Sequence, residues 1–228
     1  MSKLLHSHLE DYDVPSSVEE WLEKSRKSRW GDLPMVKASA VSWRDMLTPK
    51  RVLAADGTDV NTSTAETIMC PDFTFAADYM EIGDAFKYTL LFDWATVITT
   101  PGTVTFRLRW GGVGGTALAT SGAYAPDPTA AGTTLSGIVE YYMVCRAVGA
   151  TTASFFTMGR MTLADFDDAS ATTLKGNLDM SMIPVSAPAV VGSLDTTTAK
   201  ALSPTVQFSI SQAGNRLLNH IALLESLN

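Results

Sequence analysis

Charge is scarce in this 228-residue sequence. Asp, Glu, Lys and Arg make up 18% of it, against about a quarter in an ordinary soluble domain. A chain with so little charge keeps neutral polar outer faces or has them covered by neighbours. What charge there is leans acidic, with a net of −7. A dedicated nucleic-acid binder needs a basic footprint to displace counterions, so that class is set aside. Cysteine is nearly absent as well, with Cys70 and Cys145 alone. Both sit in apolar, strand-like contexts and are read as buried free thiols rather than as a disulfide. No metal spacing exists among them, and three histidines do not supply one. Long apolar runs are also missing. None nears the roughly 20 residues that cross a bilayer. Met1 to Leu9 lacks the apolar core of a secretory signal. The expectation is a soluble protein made in a cytoplasm, with no membrane and no nucleic acid among its partners.

What is present divides into two parts. Residues 1–46 read as an arm. Pro15-Ser-Ser-Val-Glu-Glu20 opens a short helix over about 17–30, with Ser16 or Ser17 as N-cap and Glu19 or Glu20 three residues on. Lys24, Arg26, Lys27 and Arg29 close it, as the helix dipole favours. Its apolar stripe is narrow, Val18, Trp21 and Leu22, so the helix must dock on something to persist. Trp21, Trp30 and Trp43 are three of the five tryptophans. Either a neighbouring subunit or the chain's own domain receives them.

Residues 47–228 alternate apolar and polar side chains without a helical period. Strands are expected over Met46–Ala55, Ala65–Cys70, Phe86–Trp94, Val104–Trp110, Thr116–Thr120, Ile138–Val148, Ala153–Leu163, Ala189–Leu194, Thr205–Ser211 and Leu217–Leu224. Phe73–Gly83 is apolar but broken and reads as a turn of helix or a loop over the core, and Ala164–Pro188 reads as a loop. Tyr88, Leu90, Phe92 and Trp94 share one face; so do Val104, Phe106, Leu108 and Trp110; so do Val139, Tyr141, Met143 and Cys145. Val206, Phe208 and Ile210 are expected inward, as are Leu217, Ile221 and Leu223. Three hairpins are expected: Phe86–Trp94 with Val104–Trp110, Ile138–Val148 with Ala153–Leu163, and the last two strands about Gly214-Asn215. Strands without intervening helices exclude a parallel α/β sheet. The fold class is all-β, an antiparallel sandwich of jelly-roll type behind an N-terminal arm.

Chemistry is hard to find. Gly112-Val-Gly-Gly-Thr-Ala117 has the spacing of a dinucleotide fingerprint, but no helix fits after it. The glycines are read as a tight turn. His6 and His8 alternate without a third ligand. Asp165, Asp167 and Asp168, and likewise Asp56, Asp59 and Asn61, match no calcium loop. His220 is read as a surface or interface residue. No catalytic, cofactor or metal residue is assigned, and the chain is expected not to be an enzyme. Arg107 and Arg109 project from one outward face, either solvated or gripping an acidic neighbour.

Two stretches carry a resemblance. Thr103-Val-Thr-Phe-Arg-Leu-Arg-Trp-Gly-Gly-Val-Gly-Gly-Thr-Ala-Leu-Ala-Thr-Ser-Gly122 and Cys145-Arg-Ala-Val-Gly-Ala-Thr-Thr-Ala-Ser-Phe155 resemble segments of tailed-bacteriophage virion structural proteins. There the same R-x-R-W-G-G strand end and C-R-x-V-G-A-T turn recur. The resemblance spans roughly residues 85–160 and the style of the last two strands. It implies a virion component assembled in the host cytoplasm: a capsid decoration or cement protein, commonly a homotrimer. The expected partners are other copies of the chain and the major capsid protein or another virion protein. Trp21, Leu22, Trp30, Trp43, Arg107 and Arg109 are the expected contact residues. The other reading is a head- or tail-fibre module that binds host glycans or another virion protein, with Tyr124 as its one loop aromatic.

Overall fold

A computed structural model describes residues 50–52, 56–97, 99–126, 134–165 and 177–227. The expected arm helix over about 17–30, with Trp21, Leu22, Trp30 and Trp43, lies outside the described residues. So do His6, His8, Asp167 and Asp168. The chain divides at Pro49 and Lys50 into two units, and the second is the one described.

Every described element is a strand: β1 (Lys50–Val52), β2 (Asp59–Asn61), β3 (Thr67–Ile68), β4 (Phe73–Phe75), β5 (Ala85–Ala95), β6 (Val104–Trp110), β7 (Thr116–Thr120), β8 (Leu135–Ala147), β9 (Ala153–Asp165), β10 (Asn177–Ile183), β11 (Val190–Leu194), β12 (Lys200–Phe208) and β13 (Arg216–Ser226). They form two antiparallel sheets. The larger runs β1-β13-β5-β8-β9-β10, with β2 also on β13 and β11 also on β9. The smaller runs β3-β12-β6-β7, with β4 also on β12.

The expected alternation is what closes the core. Tyr88, Leu90, Phe92 and Trp94 are buried, as are Val104, Phe106, Leu108 and Trp110, and Val139, Tyr141, Met143 and Cys145. These faces meet across the two sheets. Phe92 of β5 lies 5.4 Å from Phe106 of β6, and Trp110 of β6 lies 4.8 Å from Phe155 of β9. Aromatic pairs at this range add to plain area burial. The described residues are thus all-β, with two antiparallel sheets interdigitating their inner side chains.

Several expectations need correcting. β5 and β6 are not a hairpin, because they belong to different sheets. Their apolar faces point at each other from opposite sides of the core, a case that alternation alone does not separate from neighbours in one sheet. Length decides the partners. The eleven residues of β5 pair with the long β13 and β8, and the seven of β6 with β12 and β7. β12 and β13 are likewise split between sheets, so the turn at Gly214-Asn215 crosses the sandwich. Ile221 is exposed and Leu223 half-buried, whereas Ala222 and Leu224 are buried. The register of β13 on β5 slips between Asn219 and Ile221. A bulge at His220 therefore flips the alternation after Leu217. Ile210 follows the end of β12 and is only half-buried.

Boundaries shift too. The strand expected over Ala65–Cys70 is cut to Thr67–Ile68. Within Phe73–Gly83 lies β4, paired with β12. The expected loop from Ala164 to Pro188 contains β10, seven residues in unbroken register with β9. β12 starts five residues earlier than expected and contains Pro204. The Pro204 carbonyl accepts from Met69 N–H at 2.9 Å. Its missing N–H faces that same side, just beyond the end of β3, at the margin of the ladder.

The glycine turn after Trp110 behaves as expected. Gly111 and Gly112 have φ of 96° and 84°, which residues with a Cβ rarely adopt. Strand β7 follows, and no helix starts there to present amides to a phosphate. The β8–β9 hairpin is formed, with Gly149 in its turn.

Candidate functional site: an interaction surface

Arg107 and Arg109 sit two residues apart on β6 and face away from the core, as their spacing requires. The carboxylate that they grip is Glu66 of the same chain. Arg109 binds it through two guanidinium nitrogens, Nη2 donating at 2.7 Å, and Arg107 Nη1 donates at 3.2 Å. The Thr205 hydroxyl donates to Glu66 as well. Arg109 Nη1 also donates to the Gly115 carbonyl at 2.6 Å, tying the strand to the glycine turn. Burial alone would raise the Glu66 carboxyl. The bonds from Arg109 and Thr205 and the nearby arginine charges outweigh it and hold the carboxyl below its ordinary value. A forked guanidinium–carboxylate pair is among the stronger polar contacts available. Here it pins the Glu66 segment onto the outer face of the smaller sheet.

The larger sheet carries a second carboxylate of this kind. Glu140 projects from the outer face of β8 yet is 6% exposed. Lys87 on β5 reaches it at 2.6 Å and Arg160 on β9 at 2.5 Å. Arg160 is the direct cross-strand neighbour of Glu140, whereas Lys87, which faces Tyr142, reaches it diagonally past Thr89. Burial pushes the Glu140 carboxyl up, and the two cations more than reverse the shift.

Beside this pair the outer face of the larger sheet carries an apolar row. Cross-strand partners share a face, and the register places Ile221, Leu91, Ile138, Thr162 and Met180 in one row across β13, β5, β8, β9 and β10. Ile138 and Ile221 are exposed, and Met180 is 67% exposed. The patch is densest at β10. Leu178, Met180 and Met182 alternate outward and are all exposed, and Val185 and Val190 continue beyond them. Exposed apolar groups gathered this way mark interaction sites far more often than scattered ones do.

The remaining candidates are structurally engaged. His220 sits at the β13 bulge between two carboxylates, Asp56 and Asp93, each at 3.0 Å. Those two hydrogen bonds raise its pKa. Asp59 pairs with Arg216 at 2.9 Å. Tyr124 is half-buried; its hydroxyl donates to Asp179 and its ring meets Trp94 edge-on at 6.1 Å. It offers no open face for a sugar to stack on. Cys70 and Cys145 are free and buried. Burial pushes both thiols up to about 11, and Cys70 Sγ lies 3.1 Å from the Tyr88 hydroxyl. A thiol held that high is a poor nucleophile at neutral pH. A hollow of about 40 Å³ lies among Asp93, Trp94, Ala95, Thr134, Arg216 and Leu218. It has room for water and is far below the size of a ligand pocket.

Sequence reasoning found the arginine pair and missed its carboxylate, which lies 41 residues away from Arg107 in the chain. It also missed the β10 patch. A signal was there: Leu178-Asp-Met-Ser-Met182 alternates large apolar with small polar residues. The surrounding Asp, Gly and Pro residues masked it.

No protein-family profile matches the chain, and no curated protein matches it. Two solved structures are similar in part. One is the CBM2 module of the Lactobacillus casei BL23 phage J-1 evolved Dit, at 9% identity and a TM-score of 0.28, over 68% of this chain and 67% of that one. The other is the alginate lyase Aly36B, at 10% identity and a TM-score of 0.22, over 78% and 80%. At these scores neither likeness carries weight for fold or function.

Proposed function

We propose that this chain is a non-enzymatic virion structural protein, a decoration or cement component of a bacteriophage head. The supporting observation is the exposed apolar surface of the larger sheet. Leu178, Met180, Met182, Val185 and Val190 stand in water at one end of it, with Ile138 and Ile221 further across. A protein whose work is adhesion presents such a surface; a self-sufficient monomer hides it. The phage resemblance adds to this. Its two stretches form the β6–β7 turn and the β8–β9 hairpin, so it concerns the frame of the sandwich and brings no catalytic residue with it.

In this reading the sandwich is of jelly-roll type. The nesting of its strands supports that class. β5 pairs with β13 in one sheet while β6 pairs with β12 in the other, as in a hairpin rolled onto itself. The hairpin runs β6–β7 and β8–β9–β10 are additions to that scheme. The partners are other copies of the chain, in a homotrimer by the resemblance, and the capsid protein or another virion protein. The arm holds the shell through Trp21, Leu22, Trp30 and Trp43. Many weak arms on one particle raise avidity without a large single interface. Arg107 and Arg109 retain guanidinium surface beyond Glu66, with side chains 19% and 18% exposed, and would meet an acidic neighbour at the rim of such a contact.

Deleting residues 1–46 and counting copies bound per particle tests the arm. Occupancy should fall by at least about tenfold, the loss expected when one of two linked contacts goes. Unchanged occupancy would remove the arm from the proposal. The alternative, a fibre module for host glycans, wants an exposed loop aromatic. Among the described residues the loops present none: Tyr124 and Tyr79 are both packed against the core.

A further inference from the structure

We propose that β10 is a self-pairing edge, through which two copies of this chain join their larger sheets across a twofold axis. The inference stands on the strand itself, does not depend on the virion reading, and puts a twofold pair in place of the homotrimer that the phage resemblance implies.

Exposed sheet edges are hazardous, and folded proteins blunt them with short strands, lysine, proline or bulges. The other edges here follow that practice. β1 and β2 are three residues each and include Lys50, Arg51 and Asp59; β3 and β4 are two and three residues. β7 is five residues long and bulged against β6. β10 is neither short nor bulged and holds no lysine or proline; its one charge, Asp179, is turned to the inner face and held by Tyr124. It runs seven residues as Asn177-Leu-Asp-Met-Ser-Met-Ile183, pairs with β9 without a slip, and contains no lysine, arginine, proline or glycine. Among the described residues no strand lies on its other side. A long, flat, apolar edge of this kind is covered when the protein is at work.

The sequence of β10 fits a second copy of itself. Centre an antiparallel pair on Met180. Met180 then faces the partner's Met180, Leu178 faces the partner's Met182, and Asp179 faces the partner's Ser181. Apolar residues meet only apolar ones, on the outer face already rich in them. No carboxylate opposes another, and Asp179 points to the other face, where Tyr124 holds it. A contact in which a patch recognises itself is the isologous kind that closes as a dimer. It would extend the eight-stranded sheet of each copy into the next and continue the apolar row from Ile138 through Met180.

The test uses the full chain. Sedimentation equilibrium should give a particle of twice the 24.5 kDa chain mass. Met180→Lys should stay folded, by circular dichroism and an unchanged melting cooperativity, and raise the dissociation constant by about 100-fold, the scale of losing a central contact. A cysteine placed by Met180→Cys should be joined to its own copy by a short bifunctional thiol reagent, far more than one placed on β7 by Thr116→Cys. A monomeric wild type overturns the proposal, and is the result expected if a segment of the same chain or an unrelated peptide covers β10. An odd-numbered oligomer also overturns it, while leaving the count implied by the phage resemblance in place. So does a dimer that Met180→Lys leaves intact, or linking at Met180→Cys no greater than at Thr116→Cys.

Discussion

Glu66 shows how one side chain can hold a segment that the strand pattern alone would have paired. Ala65 to Cys70 has the composition of a strand, yet only Thr67 and Ile68 pair in a sheet. The carboxylate of Glu66 ties this segment to the smaller sheet through Arg109, Arg107 and Thr205. Replacing it by Gln leaves two guanidinium groups without their charge partner. Glu66→Gln should therefore cost about 2 kcal/mol, the range for hydrogen bonds to charged groups, read as a lower urea midpoint at constant slope. The pH dependence follows from the same contacts. Its folded carboxyl titrates below the unfolded value of 4.5. The contribution is complete above that value and lost as pH falls through the folded one. His220 works in the opposite sense. Asp56 and Asp93 raise it above 6.5, so its contribution is complete below pH 6.5 and lost as pH rises through the folded value. Its side chain is 39% exposed, so the effect is under about 1 kcal/mol, as for other exposed pairs. Urea midpoints between pH 6 and 9 should decline slightly in the native chain, and His220→Asn should remove that decline.

At the scale of elements, glycine and bulge placement decide what alternation leaves open. Gly137 stands on β8 directly opposite Phe92 of β5. A Cβ there would meet the Phe92 ring at 2.4 Å, and Phe92 is packed in turn against Phe106. The ring has no free side to move toward. Gly137→Ala should lower stability by about 1–3 kcal/mol, as overpacking of a filled core does, measured by chemical denaturation. The inward faces of β5, β6 and β8 were legible in the sequence because each has a dry side and a wetter one. The partner of each strand was not, since side-chain alternation has no term for which sheet a strand joins. The bulge at His220 was equally invisible: nothing in Leu217 to Leu224 marks the one residue that drops out of register. β10 was overlooked for another reason. A strand whose apolar side faces solvent has the alternation of any strand, but its neighbours in sequence were polar and proline-bearing, and the local composition prevailed.

For the whole molecule, scarcity of charge and the exposed apolar sheet face are two signs of one property. A chain with few charges and large apolar side chains on an open edge has the surface of a protein that associates. In the proposed reading the sandwich would supply rigidity, the β10 edge contact with a copy, and the arm of residues 1–46 contact with a shell. Truncating the arm should leave the sandwich folded and its self-association intact, because β10 lies wholly within residues 50–228. Sedimentation of the 47–228 fragment checks this, with the same association state as the full chain expected. The most direct measurement of the central claim is co-sedimentation of the purified full chain with emptied capsids and, separately, with isolated tails of the phage. The virion reading predicts saturable binding to capsids, at a fixed number of copies per particle and without any enzymatic turnover of the shell. Absence of binding to either particle, with the protein folded and at micromolar concentration, would contradict it.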